Sequence, residues 1–362
     1  TSPRLHAFPR RGALFLNCTS PSAWTIPSHM SIFTGLEPPA HRCIYYRDVG
    51  RINPEFVTMQ RILSRHGFRT GAFTGGGYMS ERYGLFAGFD TYSSKGKYFQ
   101  QNLPDVWKWI ATGGEEPMFL FVHGFDAHKM YWPPAPYRTL FAGNYQTRYP
   151  AKRFCKPGAP KPGPLDLEYI VSLYDGEIRW VDDTIAGFLD ALEQRGILEE
   201  SLVIITTDHG DEFFDHGRCD HIHSLYDELV RAAWIMVGPS IPQVVVRDHV
   251  GTLDILPTVL EVLGIESDLS FQGVSRVNAL TPGDEPRDAD VFSFTGMSGA
   301  PYHLSSVRTL RWKLITDLPC GRKNKHCPLC LEDGHKQVDM KLFDLQSDPG
   351  EQYNLIVEYP EL

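Results

Sequence analysis

Behind the short apolar run Leu202–Ile205 stands Asp208-His209-Gly210-Asp211, which sets a carboxylate beside an imidazole. One oxygen and one nitrogen donor at that spacing suit a borderline divalent metal; the plain alternative is a strand end followed by an Asp/Gly turn. Three further segments carry hydroxyl and imidazole groups. Thr25, in Thr25-Ile26-Pro27-Ser28-His29, lies just before a helix N-terminus, where an oxyanion would be stabilised, or more simply caps that helix. His123 and His128 bracket a second segment, and His221 and His223 stand in the third, DHIHSLYDE. Imidazole suits a general acid because its unperturbed pKa lies near neutrality. Asp211 reads as a partner orienting His209 or as a turn residue; Glu212, Asp215 and His216 read as surface residues beyond the strand end. His123 and Asp126 read either as pocket lining or as a satisfied strand-end pair.

These groups lie far apart in the chain, so the fold must gather them. The β-branched run Leu202–Ile205 has the pattern of a strand buried on both faces. In an open α/β sheet, side chains following such strands project into the ligand crevice. Ala13–Leu16, Phe68–Thr74, Met118–Val122 and Ala233–Val237 read as further strands. Between them, 55–66 and 253–263 read as helices, and Ser28–Gly35 as a helix with Gly35 as its C-terminal cap. From Leu167 to Leu192, apolar residues recur at helical spacing, giving one long amphipathic helix closed by Gly196. The Pro-rich stretch Trp132–Pro164 reads as an irregular excursion. Strands alternating with helices predict an α/β three-layer sandwich around a large, mainly parallel sheet, with Leu202–Ile205 among its central strands. After about residue 285, SSVRTLRWKLITDL and KLFDLQ predict a small antiparallel piece. The expected division is therefore a catalytic domain over 1–285 and a subdomain over 286–362.

The chain of 362 residues is 42% hydrophobic and 22% charged, an ordinary globular balance. A net charge of −9 argues against general affinity for nucleic acid, so an anionic substrate needs a local cationic site. No stretch reaches the length of a membrane span, and the opening residues do not have the pattern of a signal peptide. Localisation stays open between cytoplasmic and extracytoplasmic. Seven cysteines are no small disulfide scaffold, and Cys320, Cys327 and Cys330 in a polar loop suggest a zinc group, with His326 or His335 as the fourth ligand.

Four segments in order resemble the sulfatase family of the alkaline phosphatase superfamily: TIPSHMSIFTG, FVHGFDAHKMYWPP, Tyr174–Glu228 and KLFDLQSDPGEQYNL. The family signature runs Cys or Ser, any residue, Pro, Ser, Arg, then Thr-Gly at a fixed distance. Thr25 to His29, with Thr34-Gly35 in register, fits that frame. The resemblance implies an alkaline-phosphatase-like fold and hydrolysis or transfer at a phosphate or sulfate ester. It also implies one divalent ion (manganese, calcium, zinc or magnesium) on Asp208 and His209. Thr25 is then the nucleophile, His128 and His221 or His223 supply the general acid, and His29 and His123 contact the substrate. The implied partner is a small-molecule, glycan or lipid-headgroup anionic ester, with no nucleic acid.

Two departures shift the expectation towards phosphoryl substrates. Threonine replaces the residue that sulfatases convert to formylglycine, and the family's Lys-Trp-His segment reads Gly75-Gly76-Gly77-Tyr78 here. The alternatives are a sulfatase acting on sugar or aryl sulfates and a non-catalytic module that binds anions. Thr1-Ser2-Pro3 resembles the segment just after the family's first strand. The resemblance therefore implies a missing strand with metal-binding aspartates, weak metal binding, and an unpaired sheet edge near Leu202–Ile205.

Overall fold

A computed structural model describes residues 1–44, 52–53, 55–143, 145, 147, 149–156, 158–281, 285–296, 303–317 and 340–361. After a short helix α1 (Pro3–Ala7), strand β1 (Gly12–Thr19) runs into helix α2 (Thr25–Thr34) and a single turn α3 (Pro38–His41). Helix α4 (Met59–Arg65), strands β2 (Arg69–Phe73) and β3 (Thr91–Ser93), helix α5 (Phe99–Ala111) and strand β4 (Met118–Val122) follow. A one-turn helix α6 (Tyr137–Leu140) lies within the Pro-rich excursion, before the long α7 (Pro164–Glu193). Next come β5 (Val203–Thr206), the two-residue strands β6 (Glu212–Phe213) and β7 (Cys219–Asp220), α8 (Asp227–Val230), β8 (Arg231–Val237), β9 (Val244–Gly251) and α9 (Ile255–Val262). Strands β10 (Val291–Gly296), β11 (His303–Arg308), β12 (Trp312–Asp317) and β13 (Met340–Asp344) close the chain.

The α/β class stands, with parallel pairing of β1 with β9 and of β2 with β3 and β4. The helix-flanked strands form two sheets, ordered β5-β8-β1-β9 and β3-β2-β4. Strand β8 runs antiparallel to both neighbours. Strands β10 to β13 make the separate antiparallel sheet. Aromatic pairs pack within and on the sheets: Phe15 of β1 stacks on its cross-strand partner Trp234 of β8 at 4.0 Å, and Phe33 of α2 sits edge-on to Phe86 and Phe121.

Three sequence expectations need correction. Strand β5 is not central: β8 takes one flank, and no described strand pairs with the other. Its residues are accordingly half-buried, and the expected unpaired edge lies there. Helix α2 begins at Thr25, one turn before Ser28, because Pro27 falls where an N–H would have no acceptor anyway. Its end is as expected, with Gly35 at φ +64° and its N–H on the Ser31 carbonyl at 2.8 Å. Helix α4 is shorter than 55–66, since extended Thr58 supplies the carbonyl that opens it. The triad Cys320, Cys327 and Cys330 lies outside the described residues.

Candidate active site

The tip of β5 is fastened to α2 by serine. Ser28 Oγ donates to the Asp208 carbonyl at 2.7 Å and lies 2.9 Å from Ser20 Oγ, which follows β1. Gly210 is pressed against the chain leading into β8: its N–H donates to the Leu229 carbonyl at 2.9 Å. A Cβ there would lie 2.1 Å from the Glu228 carbonyl oxygen, so only glycine fits. Thr25, 5% exposed, is the first residue of α2, where N–H groups lack helical partners and the dipole favours negative charge. Among the described residues its hydroxyl has no hydrogen-bond partner, so it does not serve as a cap.

Imidazoles crowd the Asp208 carboxylate. Its Oδ2 lies 3.5 Å from His29 Nδ1 and 3.4 Å from His209 Nε2. His29 Nδ1 is also 2.8 Å from the Thr25 carbonyl, and its ring meets His123 at 5.3 Å. Burial would raise the Asp208 carboxyl, but the rings of His209, His29 and His123 outweigh it and hold the group below the usual carboxylate range. Burial pushes His29 down, and burial with the nearby His29 takes His123 to about 3. Asp126 does not face this cluster through a hydrogen bond; its Oδ2 accepts the Phe99 N–H at 2.7 Å, and burial raises it to about 6.

His221 occupies a second polar cluster beside the first. Its Nδ1 donates to Asp211 Oδ1 at 2.7 Å and lies 2.9 Å from Asp220 Oδ1. Burial alone would lower its pKa, but the two carboxylates raise it to about 10, so the ring is an imidazolium at neutral pH. Tyr131 donates its hydroxyl to Asp211 at 2.6 Å, and the Lys129 ammonium pairs with Asp220. Nε2 is the nitrogen left to act. The His128 ring lies 5.2 Å from His221 and is pushed down by burial and by that cation. His209 lies 4.5 Å from His221, ring to ring.

The structure therefore brings together His29, His123, His128, Asp208, His209 and His221, with Thr25 one helical turn from His29. His223 stands apart from them chemically. Its Nε2 bonds Glu212 at 2.7 Å and its Nδ1 lies 3.2 Å from the His221 carbonyl, which occupies both nitrogens. Asp211 orients His221 rather than His209. Glu212 and His216 are not surface residues: Glu212 is fully buried and also accepts the His216 and Arg218 N–H groups, and His216 bonds Glu228 at 2.7 Å. Lys129, Tyr131, Asp220 and Ser28 escaped the sequence reading. A disulfide joins Cys155 to Cys219, immediately before Asp220. Spacing gives no signal for that pair, 64 residues apart.

The donor set fits a divalent ion. His209 Nδ1 is 3.0 Å from the Gly210 carbonyl, which fixes the ring and leaves Nε2 towards the ionised Asp208. Ligand atoms of His209, Asp211 and His221 also lie within 4.8 Å of one another. The two sets share His209; the second replaces Asp208 by Asp211 and adds His221. Asp208 is the better donor, because Asp211 already accepts hydrogen bonds from both His221 and Tyr131. No described helix is long and apolar enough to cross a membrane.

A family model described as Sulfatase matches residues 1–265. Arylsulfatase K of Bos taurus is 23% identical, over 99% of this chain and 74% of its own length. Among solved structures, the phosphonate monoester hydrolase of Agrobacterium radiobacter superposes with a TM-score of 0.76 at 17% identity, covering 99% of this chain and 88% of that one. A protein solved with its substrate D-glucosamine-2-N,6-O-disulfate gives a TM-score of 0.73 at 17% identity, covering 99% and 89%.

Proposed function

The chain belongs to the sulfatase family of ester hydrolases, and from that premise we propose that it cleaves phosphate esters or diesters by way of a covalent Thr25 intermediate. The unengaged Thr25 hydroxyl at the start of α2, beside the Asp208 cluster, carries this reading. Thr25, its hydroxyl proton first released to solvent, attacks phosphorus through Oγ, forming an Oγ–P bond as the bond to the leaving alkoxide breaks, and it departs again as the alkoxide in the second half-reaction. The helix N-terminus stabilises charge on the oxygens of the group being transferred. His221, held cationic by Asp211 and Asp220, delivers its Nε2 proton to the leaving oxygen. In the second half-reaction the same nitrogen, now neutral, takes a proton from water or an acceptor alcohol as that oxygen attacks phosphorus and releases Thr25. His29 and His123, kept neutral by burial, stand beside Asp208 without adding charge. A divalent ion on Asp208 and His209 would lower the pKa of the Thr25 hydroxyl and neutralise a non-bridging oxygen.

Phosphoryl transfer ranks ahead of sulfuryl transfer for two reasons. Threonine cannot supply a formylglycine hydrate, and the segment Gly75–Tyr78, whose Tyr78 ring packs on Trp24 next to the nucleophile, carries no cation to grip sulfate. The sulfatase names of its relatives favour sulfate esters as the second reading. The test is turnover of nitrophenyl phosphate, bis-nitrophenyl phosphate and nitrophenyl sulfate with manganese, zinc or calcium, by native protein and Thr25→Ala. Phosphoester turnover that Thr25→Ala abolishes, with phosphothreonine at position 25 in quenched samples, is the expected result. Turnover of the sulfate alone, or full activity in Thr25→Ala, overturns it.

A further inference from the structure

The 39 residues from 127 to 165 contain seven Lys or Arg and no Asp or Glu, in a chain whose net charge is −9. Charge segregation of that kind on an acidic protein marks a surface built for an anion. Lys152, Arg153, Lys156 and Lys161 are exposed, and none makes an ion pair among the described residues. Aromatic rings hold part of this surface in place. The Lys152 ammonium and the Arg138 guanidinium lie 4.5 and 4.4 Å from the Trp132 ring, and Lys161 lies 5.1 Å from that of Phe214.

The basic excursion is tied to the active-site loop at several points. Phe154, buried between the exposed cations, packs with Tyr131 and Phe213. Tyr131 in turn bonds Asp211, the partner of His221, and Cys155 is disulfide-bonded to Cys219. Cations so placed add little to a small ester seated at Thr25. They add much to a substrate that continues beyond the pocket as a chain of negative charges.

We propose that this excursion is an exosite for a linear polyanionic glycan, binding through Lys152, Arg153, Lys156 and Lys161 the anionic groups that flank the ester cleaved at Thr25. The proposal rests on the ester-hydrolase reading and names the substrate class for it. Exposed cations set against the half-buried rings of Trp132 and Phe214 suit sugar rings bearing charges.

Binding of fluorescent heparin, as the probe polyanion, is measured for native protein and for K152Q/R153Q/K156Q/K161Q. The control R65Q/K95Q/K108Q/R231Q removes the same charge from exposed residues elsewhere. The exosite variant should weaken binding by about 10-fold or more, equivalent to about 1.4 kcal/mol. It should also flatten the salt dependence and leave nitrophenyl ester turnover unchanged, while the control binds as native. Equal heparin binding by native and variant, or equal losses in variant and control, overturns the exosite. So does tighter binding to vesicles of about three parts phosphatidylserine to seven of phosphatidylcholine, which would make the patch a membrane surface. Heparin binding without turnover of any nitrophenyl ester overturns the functional reading instead.

Discussion

Replacing Lys313 by methionine tests how the C-terminal sheet holds the segment that follows His221 and His223. Lys313 on β12 is fully buried, with Nζ 2.9 Å from Asp227 Oδ1 and 2.9 Å from Glu351 Oε1. Asp227 opens α8 and also takes Nε and Nη2 of Arg308, each at 3.0 Å, while its own N–H donates to Glu351 Oε2. Two cations thus balance two carboxylates in a largely buried site. Methionine keeps the volume and removes one charge, leaving Glu351 without a cation. Breaking a buried pair from one side costs about 3–5 kcal/mol. The lower end, about 3 kcal/mol, applies here because Asp227 keeps Arg308, and because burial already pushes the Glu351 carboxyl up, so the group can escape by taking a proton. That escape gives the pH signature. In K313M, Glu351 titrates above its unfolded value, so the deficit is small in acid and grows as pH rises from the unfolded pKa towards the folded one. Urea unfolding should show a lower midpoint at unchanged slope. E351Q should recover at least about 1 kcal/mol in the K313M background while destabilising the native protein. A K313M deficit below about 1 kcal/mol, or one independent of pH and of E351Q, refutes the reasoning.

Replacing His221 by glutamine should cost about 100- to 10,000-fold in kcat on an alkyl phosphate ester and far less on a nitrophenyl ester, whose leaving group needs no proton; equal losses on both would remove His221 as the acid. His41 and His249, each at most 1% exposed, are pushed by burial to about 3 and about 4. Their neutral forms support folding fully above the unfolded pKa, and each should lose about 2 kcal/mol of that support by pH 5; H249N should flatten the acid limb of a stability-against-pH curve. Removing the Cys155–Cys219 bond with paired serines should cost up to about 4 kcal/mol for a loop of 64 residues, read from denaturant midpoints, and free thiols at both positions in oxidised protein would void the expectation.

Elements with a strong local period were legible before the structure. Met118–Val122 was readable residue for residue, and the long helix through Leu189 was readable from its apolar stripe. Elements whose form depends on a neighbour were not. The half-buried pattern of β5 follows from β8 running antiparallel on one side only, and no residue within Val203–Thr206 encodes that. Strand β10 went unread for the same reason: its register is set by β11, and Ser293 is buried only because its hydroxyl finds the Ser20 carbonyl at 2.7 Å.

The site divides along a similar line. Thr25, Asp208, His209 and His128 could be singled out in the sequence because their types and order match the sulfatase pattern, although each alone reads equally well as a cap, a turn or a structural histidine. Groups that tune them are chosen by geometry, and many residue types look alike in sequence. Asp211, Asp220 and Glu212 are three carboxylates within ten positions, yet two charge His221 and one locks His223. What separates them is a pair of backbone kinks, with Asp220 at φ +79° and Ile222 at φ +85°, which turn alternate histidines to opposite partners. An Asp and a β-branched residue in that conformation are strained. Between them sits His221, the one histidine here raised to about 10. The strain and the charge on that ring thus belong to one local structure, the kinked β7 end that Cys219 ties to the basic excursion.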